Sequence, residues 1–126
     1  MQVLGIRTPV LISSDLRQPG KRTELLANIC SSLGASQYIS PLGSAVYLLE
    51  EADVLLGKEV EMTFQHYEHP QYQQLFPPFY PYASALDLIF NEGLRASEIL
   101  RSGRRTPFSE KEVAGQLQAG ALWKSL

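Results

Sequence analysis

A short alternating segment, VEMTFQ at residues 60–65, constrains the fold of this chain more than any other. The apolar residues Val60, Met62 and Phe64 alternate with polar ones, and this period of two is typical of a half-buried strand. The pattern turns Met62 and Phe64 towards a core and puts Thr63 on the opposite, more polar face.

Strand-like and helix-like segments alternate ahead of this strand. Residues 3–12 are rich in β-branched and aliphatic side chains and predict a strand interrupted at Pro9. Thr23 is a predicted N-cap of an amphipathic helix, a short strand follows at 37–39, and one helix of about a dozen residues leads to the alternating strand. The sequence therefore predicts an α/β fold, with two or three layers, a sheet of partly parallel strands and packed amphipathic helices.

The C-terminal part is predicted to be mainly helical. Ser84 to Asp87 has the S-x-x-D form of a capping box, with Asp87 as the capping carboxylate. A short helix is expected at 96–100. Because 126 residues with 44% hydrophobic content support one core, we expect a single domain over 1–103, followed by a C-terminal appendage at 104–126.

The composition argues against several classes of function. A net charge of -2 leaves no basic field for a nucleic-acid backbone. The sequence contains no apolar run long enough to span a membrane and shows no secretory signal, so a cytoplasmic location is expected. The single cysteine, Cys30, argues against an internal disulfide framework and against a cysteine-rich zinc site.

Both histidines lie in one aromatic and proline-rich stretch at residues 65–87. The strand period carries His66 inward at the strand's end, and ligands gather beyond the carboxyl ends of parallel strands. His66 and His69 are therefore candidate catalytic residues, since histidine titrates near working pH. The alternative is that His69 and Pro70 form a rigid turn, while His66 is a histidine at the edge of the core. Two imidazoles cannot complete a zinc site, so no metal is predicted.

Polar side chains near the same stretch are candidate substrate contacts. They are Tyr72, Gln74, Asp87 and Asn91. Asp87 and Asn91 are one helical turn apart and share a face, so they can project into one pocket. Helix capping is the alternative role for Asp87.

Two polar turns are further candidates, for an anionic part of a substrate. Ser13 and Ser14 follow the first predicted strand, and Arg22 and Thr23 lie at a helix N-terminus, where backbone N–H groups attract anions. The alternative for both is a solvated polar turn, with Thr23 as an N-cap.

Several segments together resemble a known family. They are SSDL, TELLANICSSLGASQYIS, GSAVYL, VEMTFQHYEHPQYQQLFPPF and SALDLIFNEG. In order and spacing they resemble the C-terminal half of the WbqC-like family of bacterial proteins, from about Ile12 to Leu100. The most specific parts are the H-P-x-Y-x-Q motif starting at His69 and the S-x-x-D-L-x-F-N-x-G motif from Ser84 to Gly93. Full-length members begin with a Q-P-x-Y-x-P-W segment that is absent here, so the chain resembles a member lacking its N-terminal half.

That resemblance implies a function in surface-polysaccharide metabolism, because the family is associated with gene clusters for O-antigen and related polymers. The implied activity is a transferase-like reaction on a sugar or aminosugar building block, by movement of an acyl or aminoacyl group. The cofactor stays unknown. Expected partners are a sugar or acyl-donor substrate, and a second copy of the chain or the missing half. The alternative is a non-catalytic binding or assembly module, with an aromatic surface around Phe76, Phe79 and Tyr80.

Overall fold

The computed structural model describes residues 2–120, and the chain divides into two compact units. The sheet unit consists of Leu11–His66 and the chain from Thr106 onward. The loop-helix unit consists of the chain up to Val10 and Tyr67–Arg105. Each unit is therefore assembled from two separate stretches of the sequence. The single domain over 1–103 and the appendage at 104–126 stay predictions.

The sheet unit contains a three-stranded mixed sheet with the strand order β1-β2-β3. The central strand β2 (Glu61–Phe64) pairs in parallel with β1 (Gln37–Ser40) and antiparallel with β3 (Phe108–Ser109). A parallel pair needs a crossover connection, and helices between β1 and β2 provide it. The predicted α/β class with partly parallel strands is confirmed.

Along the chain, helices occur before, between and after the strands. The α-helices are α1 (Ser13–Leu16), α2 (Arg22–Ser32), α3 (Ala45–Glu50), α4 (Ala52–Leu56), α5 (Ala85–Glu92), α6 (Ala96–Ser102) and α7 (Glu110–Gln118). Short 3₁₀ helices occur at Gln2–Leu4, Leu42–Ser44 and Gly93–Arg95. In the sheet unit, α4 and α7 contact β2, α2 packs on α4, and α3 contacts α7.

The core of the sheet unit surrounds the central strand. Phe64, Leu48 and Val60 are completely or almost completely buried. Neighbouring residues of a strand point to opposite faces, yet Met62 is 3% exposed and Thr63 is 8% exposed. The predicted outward position of Thr63 is therefore wrong, because packed elements cover both faces of β2, as is usual for a strand in parallel pairing.

The N-terminal segment does not form the predicted strand over 3–12. Gln2–Leu4 is a 3₁₀ helix, Gly5 turns the chain with a φ of 63°, and residues 6–12 have no strand partner in the described structure. Pro9 explains part of this result, since it has no N–H to donate to a strand ladder. A β-branched composition is not sufficient for a strand when pairing is missing.

Two helix predictions also need correction. α2 begins at Arg22 with Lys21 at its N-cap position, so Thr23 lies inside the first turn, where it is fully buried. Thr23 is therefore not the cap. The single long helix expected ahead of β2 is divided into α3 and α4 at Glu51, whose φ of -113° and ψ of 21° depart from helical values.

Hydrogen bonds connect the long loop of the loop-helix unit to its helices. Its long loop begins at Tyr67, whose hydroxyl donates to the carbonyl oxygen of Leu100 at 3.0 Å. The next N–H, of Glu68, donates to the carbonyl oxygen of Gly103 at 2.9 Å. Leu88 of α5, 4% exposed, is one of the few large apolar side chains buried in this unit. Both bonds end on backbone carbonyl oxygens, one within α6 and one at Gly103 directly after it. These bonds hold the start of the loop against α6.

Gly103 lies so close to this loop that a side chain does not fit. A Cβ there would stand 2.3 Å from the backbone oxygen of Glu68 and 2.7 Å from Cζ of Tyr67. We expect Gly103→Ala to destabilise the protein by about 1–3 kcal/mol, the usual cost of overpacking, and to lower the urea midpoint measured by circular dichroism.

The matched control is Gly115→Ala in α7, where a Cβ would meet no atom within 4 Å apart from its chain neighbours and the backbone of its own helix. This change should raise the free energy of unfolding by about 0.5–1 kcal/mol, because alanine favours a helix over glycine. A Gly103→Ala protein with the stability of the wild type would contradict the close approach of loop and helix.

Candidate functional site

Three polar side chains of the loop-helix unit meet around the carboxylate of Asp87. We call these side chains and Asp87 the Asp87 cluster: Tyr72, Gln74, Asp87 and Asn91. Tyr72 Oη donates to Oδ2 of Asp87 at 2.6 Å, and Gln74 Nε2 donates to the same oxygen at 3.1 Å. Asn91 Nδ2 donates to Oδ1 at 3.1 Å. Both carboxylate oxygens therefore accept hydrogen bonds, from the loop and from the helix.

Helix α5 sets the position of the carboxylate. Asp87 and Asn91 are four residues apart and share a helix face, and Asn91 Nδ2 also donates to the backbone oxygen of Asp87 at 2.8 Å. Ser84 caps the helix by accepting from the N–H of Leu86 at 3.2 Å. The capping role considered for Asp87 is thus replaced by its hydrogen bonds to the loop.

Gln74 and Glu92 hold the rest of the loop. Gln74 Oε1 accepts from the N–H of Tyr80 at 2.8 Å, and its Nε2 donates to the oxygen of Tyr80 at 3.0 Å. Glu92 accepts from the N–H of Gln73 at 2.9 Å and pairs with Arg95, with its own side chain 4% exposed. Sequence reasoning missed Glu92. The available signal was its spacing of three residues from Arg95 on a helical face.

His69 stands in an aromatic surrounding beside this cluster. Its ring centroid lies 6.4 Å from that of Tyr72, 6.1 Å from that of Phe79 and 5.1 Å from that of Tyr82. Nε2 accepts from the N–H of Tyr82 at 3.2 Å. Nδ1 is buried and has no hydrogen-bond partner within residues 2–120. Because Nε2 is the acceptor, the ring proton belongs on Nδ1.

Two hollows adjoin these side chains. A cavity of about 180 Å³, here called the His69 cavity, is lined by His69, Tyr72 and Leu88 among others. A second hollow, of about 310 Å³, is lined in part by Gln74 and Asp87. Of the polar residues that the sequence singled out in this region, His69 and Tyr72 line the first hollow, and Gln74 and Asp87 line the second. Asn91 lines neither of these two hollows.

Tyr72 acts as a hydrogen-bond donor in this arrangement. Burial raises the pKa of its phenol, and the hydrogen bond to Asp87 raises that pKa further, while Gln74 acts in the opposite direction. The neutral phenol is therefore favoured, and its proton is directed to the Asp87 carboxylate. Tyr72 is suited to positioning and not to accepting a proton.

The other candidate residues belong to the sheet unit. The ring of His66 stacks on Phe108, with centroids 4.2 Å apart and planes inclined by 19°. Ser13 and Ser14 open the short helix α1 and are exposed. The structure thus gathers the candidate residues of the loop-helix unit around Asp87 and His69, and it assigns His66, Ser13 and Ser14 to the other compact unit.

Arg22 and Thr23 at the start of α2 have different surroundings. Arg22 forms an ion pair with Glu51 at 3.2 Å, and its guanidinium lies 5.4 Å from the ring centroid of Tyr47. Thr23 is fully buried, and its Oγ1 has no hydrogen-bond partner in the part of the chain that the structure describes. The charge of Arg22 is thus already balanced by a carboxylate of its own unit.

Residues 2–120 contain neither a metal-binding cluster nor a membrane-spanning helix. Within that range, no group of three or more His, Cys, Asp or Glu side chains is arranged to hold a metal ion. None of the helices described there has both the length and the apolar content that crossing a bilayer requires.

The hydrogen bond between Tyr72 and Asp87 should contribute measurably to stability. We expect Tyr72→Phe to reduce the free energy of unfolding by about 1.5–3 kcal/mol, the range for a hydrogen bond to a charged group. A double-mutant cycle with Asp87→Asn should give a coupling energy of about 1 kcal/mol in urea denaturation. Because the pKa of Tyr72 is raised, this contribution is present at neutral pH and is lost as the pH rises through the folded-state value.

Tyr80→Phe provides the control, since Tyr80 is 67% exposed. Its effect should stay within about 0.5 kcal/mol, as is usual for a surface position. Additive effects of Tyr72→Phe and Asp87→Asn, with no coupling, would show that the two side chains do not interact.

Comparison with known proteins gives this arrangement a context. A family model described as the WbqC-like protein family matches residues 1–99, starting ahead of the Ile12 boundary that the motifs indicated. The Mycobacterium tuberculosis protein named "Uncharacterized protein Rv1507c" is 35% identical over 103 residues, which are 81% of this chain and 44% of that protein. The chain thus spans less than half the length of this curated relative. No solved structure matches this chain. The match over most of its length shows that the chain belongs to the WbqC-like protein family.

Proposed function

We propose that this protein is a transferase-like enzyme, or the ligand-binding part of one, for bacterial surface-polysaccharide building blocks, O-antigen precursors included, in the cytoplasm. Its substrate would be a sugar or an acyl donor. Membership of the WbqC-like family supports the surface-polysaccharide setting, which is the one that the resemblance implied. The motifs that resemble the family also contain the residues of the candidate site. The observation that carries the proposal is the hydrogen-bonded Asp87 cluster, whose member Tyr72 lines the same cavity as His69.

The arrangement suits ligand binding because its side chains are fixed in advance. Gln74 is held by both the carboxylate of Asp87 and the backbone of Tyr80, and Asn91 is held by Asp87. Side chains that are already ordered lose little entropy when a ligand binds. We therefore propose that Tyr72, Gln74, Asp87 and Asn91 position the substrate.

His69 is our first choice as the catalytic residue. It lines the same cavity as Tyr72, whereas His66 is stacked on Phe108 in the sheet unit. We propose Ser13, Ser14, Arg22 and Thr23 as contacts of secondary importance, for an anionic group. Arg22 would have to give up its ion pair with Glu51 to serve in this way.

A turnover screen with nucleotide sugars and acyl donors, acetyl-coenzyme A among them, tests the enzymatic proposal. To act as a base, His69 would have to release the N–H of Tyr82 from Nε2. His69→Ala should then reduce turnover by about 100-fold or more, as expected for loss of a general base. The matched variant His66→Ala should retain most of the activity. Circular dichroism of both variants controls for folding. Unchanged turnover in His69→Ala would reject its role, and a wild-type protein that neither binds nor converts any of these compounds would reject the proposed function.

An apolar surface of the loop-helix unit supports a second candidate function, that of an assembly module. Leu86, Phe90 and Leu94 recur every four residues along α5 and the turn after it, and they are 62%, 84% and 93% exposed. Phe76, in the neighbouring loop, is 75% exposed. Phe79, which we expected in the aromatic surface, is half-buried beside His69. Such a concentration of exposed apolar side chains is typical of an interaction surface.

We propose that this surface pairs with a second copy of the chain. Light scattering should then show a dimer at micromolar concentration, and Phe90→Asp should convert it to a monomer because a buried charge opposes association. Leu33→Asp changes a 49% exposed leucine of the sheet unit and should leave the dimer intact. A wild-type protein that is monomeric at all concentrations would exclude this candidate.

A further inference from the structure

We propose that the hollow of about 310 Å³ beside Asp87, here called the Asp87 hollow, binds a ligand that carries an ammonium group. The ammonium would lie against the exposed rings of Phe76 and Tyr80, close to the negative charge of the Asp87 carboxylate. An aminosugar and an aminoacyl group both contain an ammonium group of this kind. The inference rests on the proposed function and specifies the charge of its substrate.

The first argument is the uncompensated charge of Asp87. All three side chains that donate to its carboxylate are neutral, namely the phenol of Tyr72 and the amides of Gln74 and Asn91. Ion pairs join three glutamates to arginines within residues 2–120, and none of the ion pairs in that range includes Asp87. The carboxylate therefore has a negative charge that a cationic ligand would balance.

The second argument is the aromatic surface of the hollow. Phe76 and Tyr80 line it together with Asp87, and these two residues are 75% and 67% exposed. A cation over the face of an aromatic ring is attracted by the partial negative charge of that face. Gln74 bonds both the N–H and the carbonyl oxygen of Tyr80, so the backbone that carries this ring is held in place. Because both rings are at the surface, a ligand can reach them from solvent.

The third argument concerns the charge and the size of the hollow as a whole. None of the described residues that line it is basic, so an ammonium meets no like charge there, whereas a phosphate would be repelled by Asp87. Asp87 and Gln74 are only partly buried, so these polar residues also present surface. A volume of about 310 Å³ lies at the lower end of the range for drug-sized ligands, about 300–1,000 Å³. The hollow therefore suits one small cationic unit better than a whole nucleotide sugar.

Nuclear magnetic resonance of the full chain labelled with ¹⁵N tests this inference, with glucosamine as the probe and glucose as the matched control. At about pH 6 the amine of glucosamine is protonated, so the two sugars differ by one ammonium in place of a hydroxyl. Glucosamine should shift the side-chain amide signal of Gln74 and the backbone amide signal of Tyr80 saturably. Glucose should bind at least about tenfold more weakly. Glycinamide and acetamide form a second matched pair, which tests the ammonium of an aminoacyl group.

Substitutions at the two exposed rings complete the test, because they remove aromatic faces without opening a core. The double variant Phe76→Leu with Tyr80→Leu should weaken glucosamine binding at least about tenfold, since neither leucine can attract a cation. The double variant Phe76→Tyr with Tyr80→Phe keeps both aromatic faces and should bind within about twofold of the wild type. Leu33→Ala, at an exposed position of the sheet unit, should leave binding unchanged. Circular dichroism of each variant controls for folding.

The possible outcomes separate the two proposals. If neither ammonium compound binds more tightly than its neutral control, or if the variant with two leucines binds as tightly as the wild type, the ammonium site is overturned, even if building blocks are turned over. Selective binding of glucosamine alone would identify an aminosugar site, and selective binding of glycinamide alone an aminoacyl site. Selective binding in a protein that converts none of the building blocks would support the ammonium site and reject the enzymatic function.

Discussion

The carboxylate of Asp87 is the point on which the loop-helix unit depends. It accepts hydrogen bonds from two residues of the loop and from one residue of its own helix. A partly buried carboxylate needs such donors, because burial without them would cost several kcal/mol, on the order of the whole stability of a small protein. The loop supplies hydrogen-bond donors that the carboxylate of Asp87 needs. The same hydrogen bonds hold the loop in one conformation.

The two units are stabilised by different means. In the sheet unit, helices and β2 bury a continuous apolar core that includes Leu48 and Phe64. In the loop-helix unit, bonds of Gln74 and Glu92 to the loop backbone supplement a much smaller core. This second arrangement leaves large apolar residues such as Phe90 at the surface. A candidate ligand site and a candidate interaction surface thus occur in the same unit.

Periodic patterns predicted the elements that depend on local burial. β1, β2 and α5 appear where alternation and capping signals placed them. The strand over 3–12 failed because a strand needs partners that composition does not reveal, and Thr63 was misplaced because its cover comes from distant elements. Motif spacing identified the members of the Asp87 cluster, but their bonding pattern required the folded loop. The unpaired Nδ1 of His69 could be seen only in three dimensions.

Amide hydrogen exchange tests most directly whether the side chains hold the loop. The N–H groups of Gln73, Tyr80 and Tyr82 donate to the side chains of Glu92, Gln74 and His69. These amides should exchange slowly in the wild type, and Asp87→Leu should remove the protection of Tyr80 and Tyr82 while the core amides of β2 remain slow. Exchange of Tyr80 and Tyr82 in the wild type at the rate of an unstructured peptide would contradict this prediction.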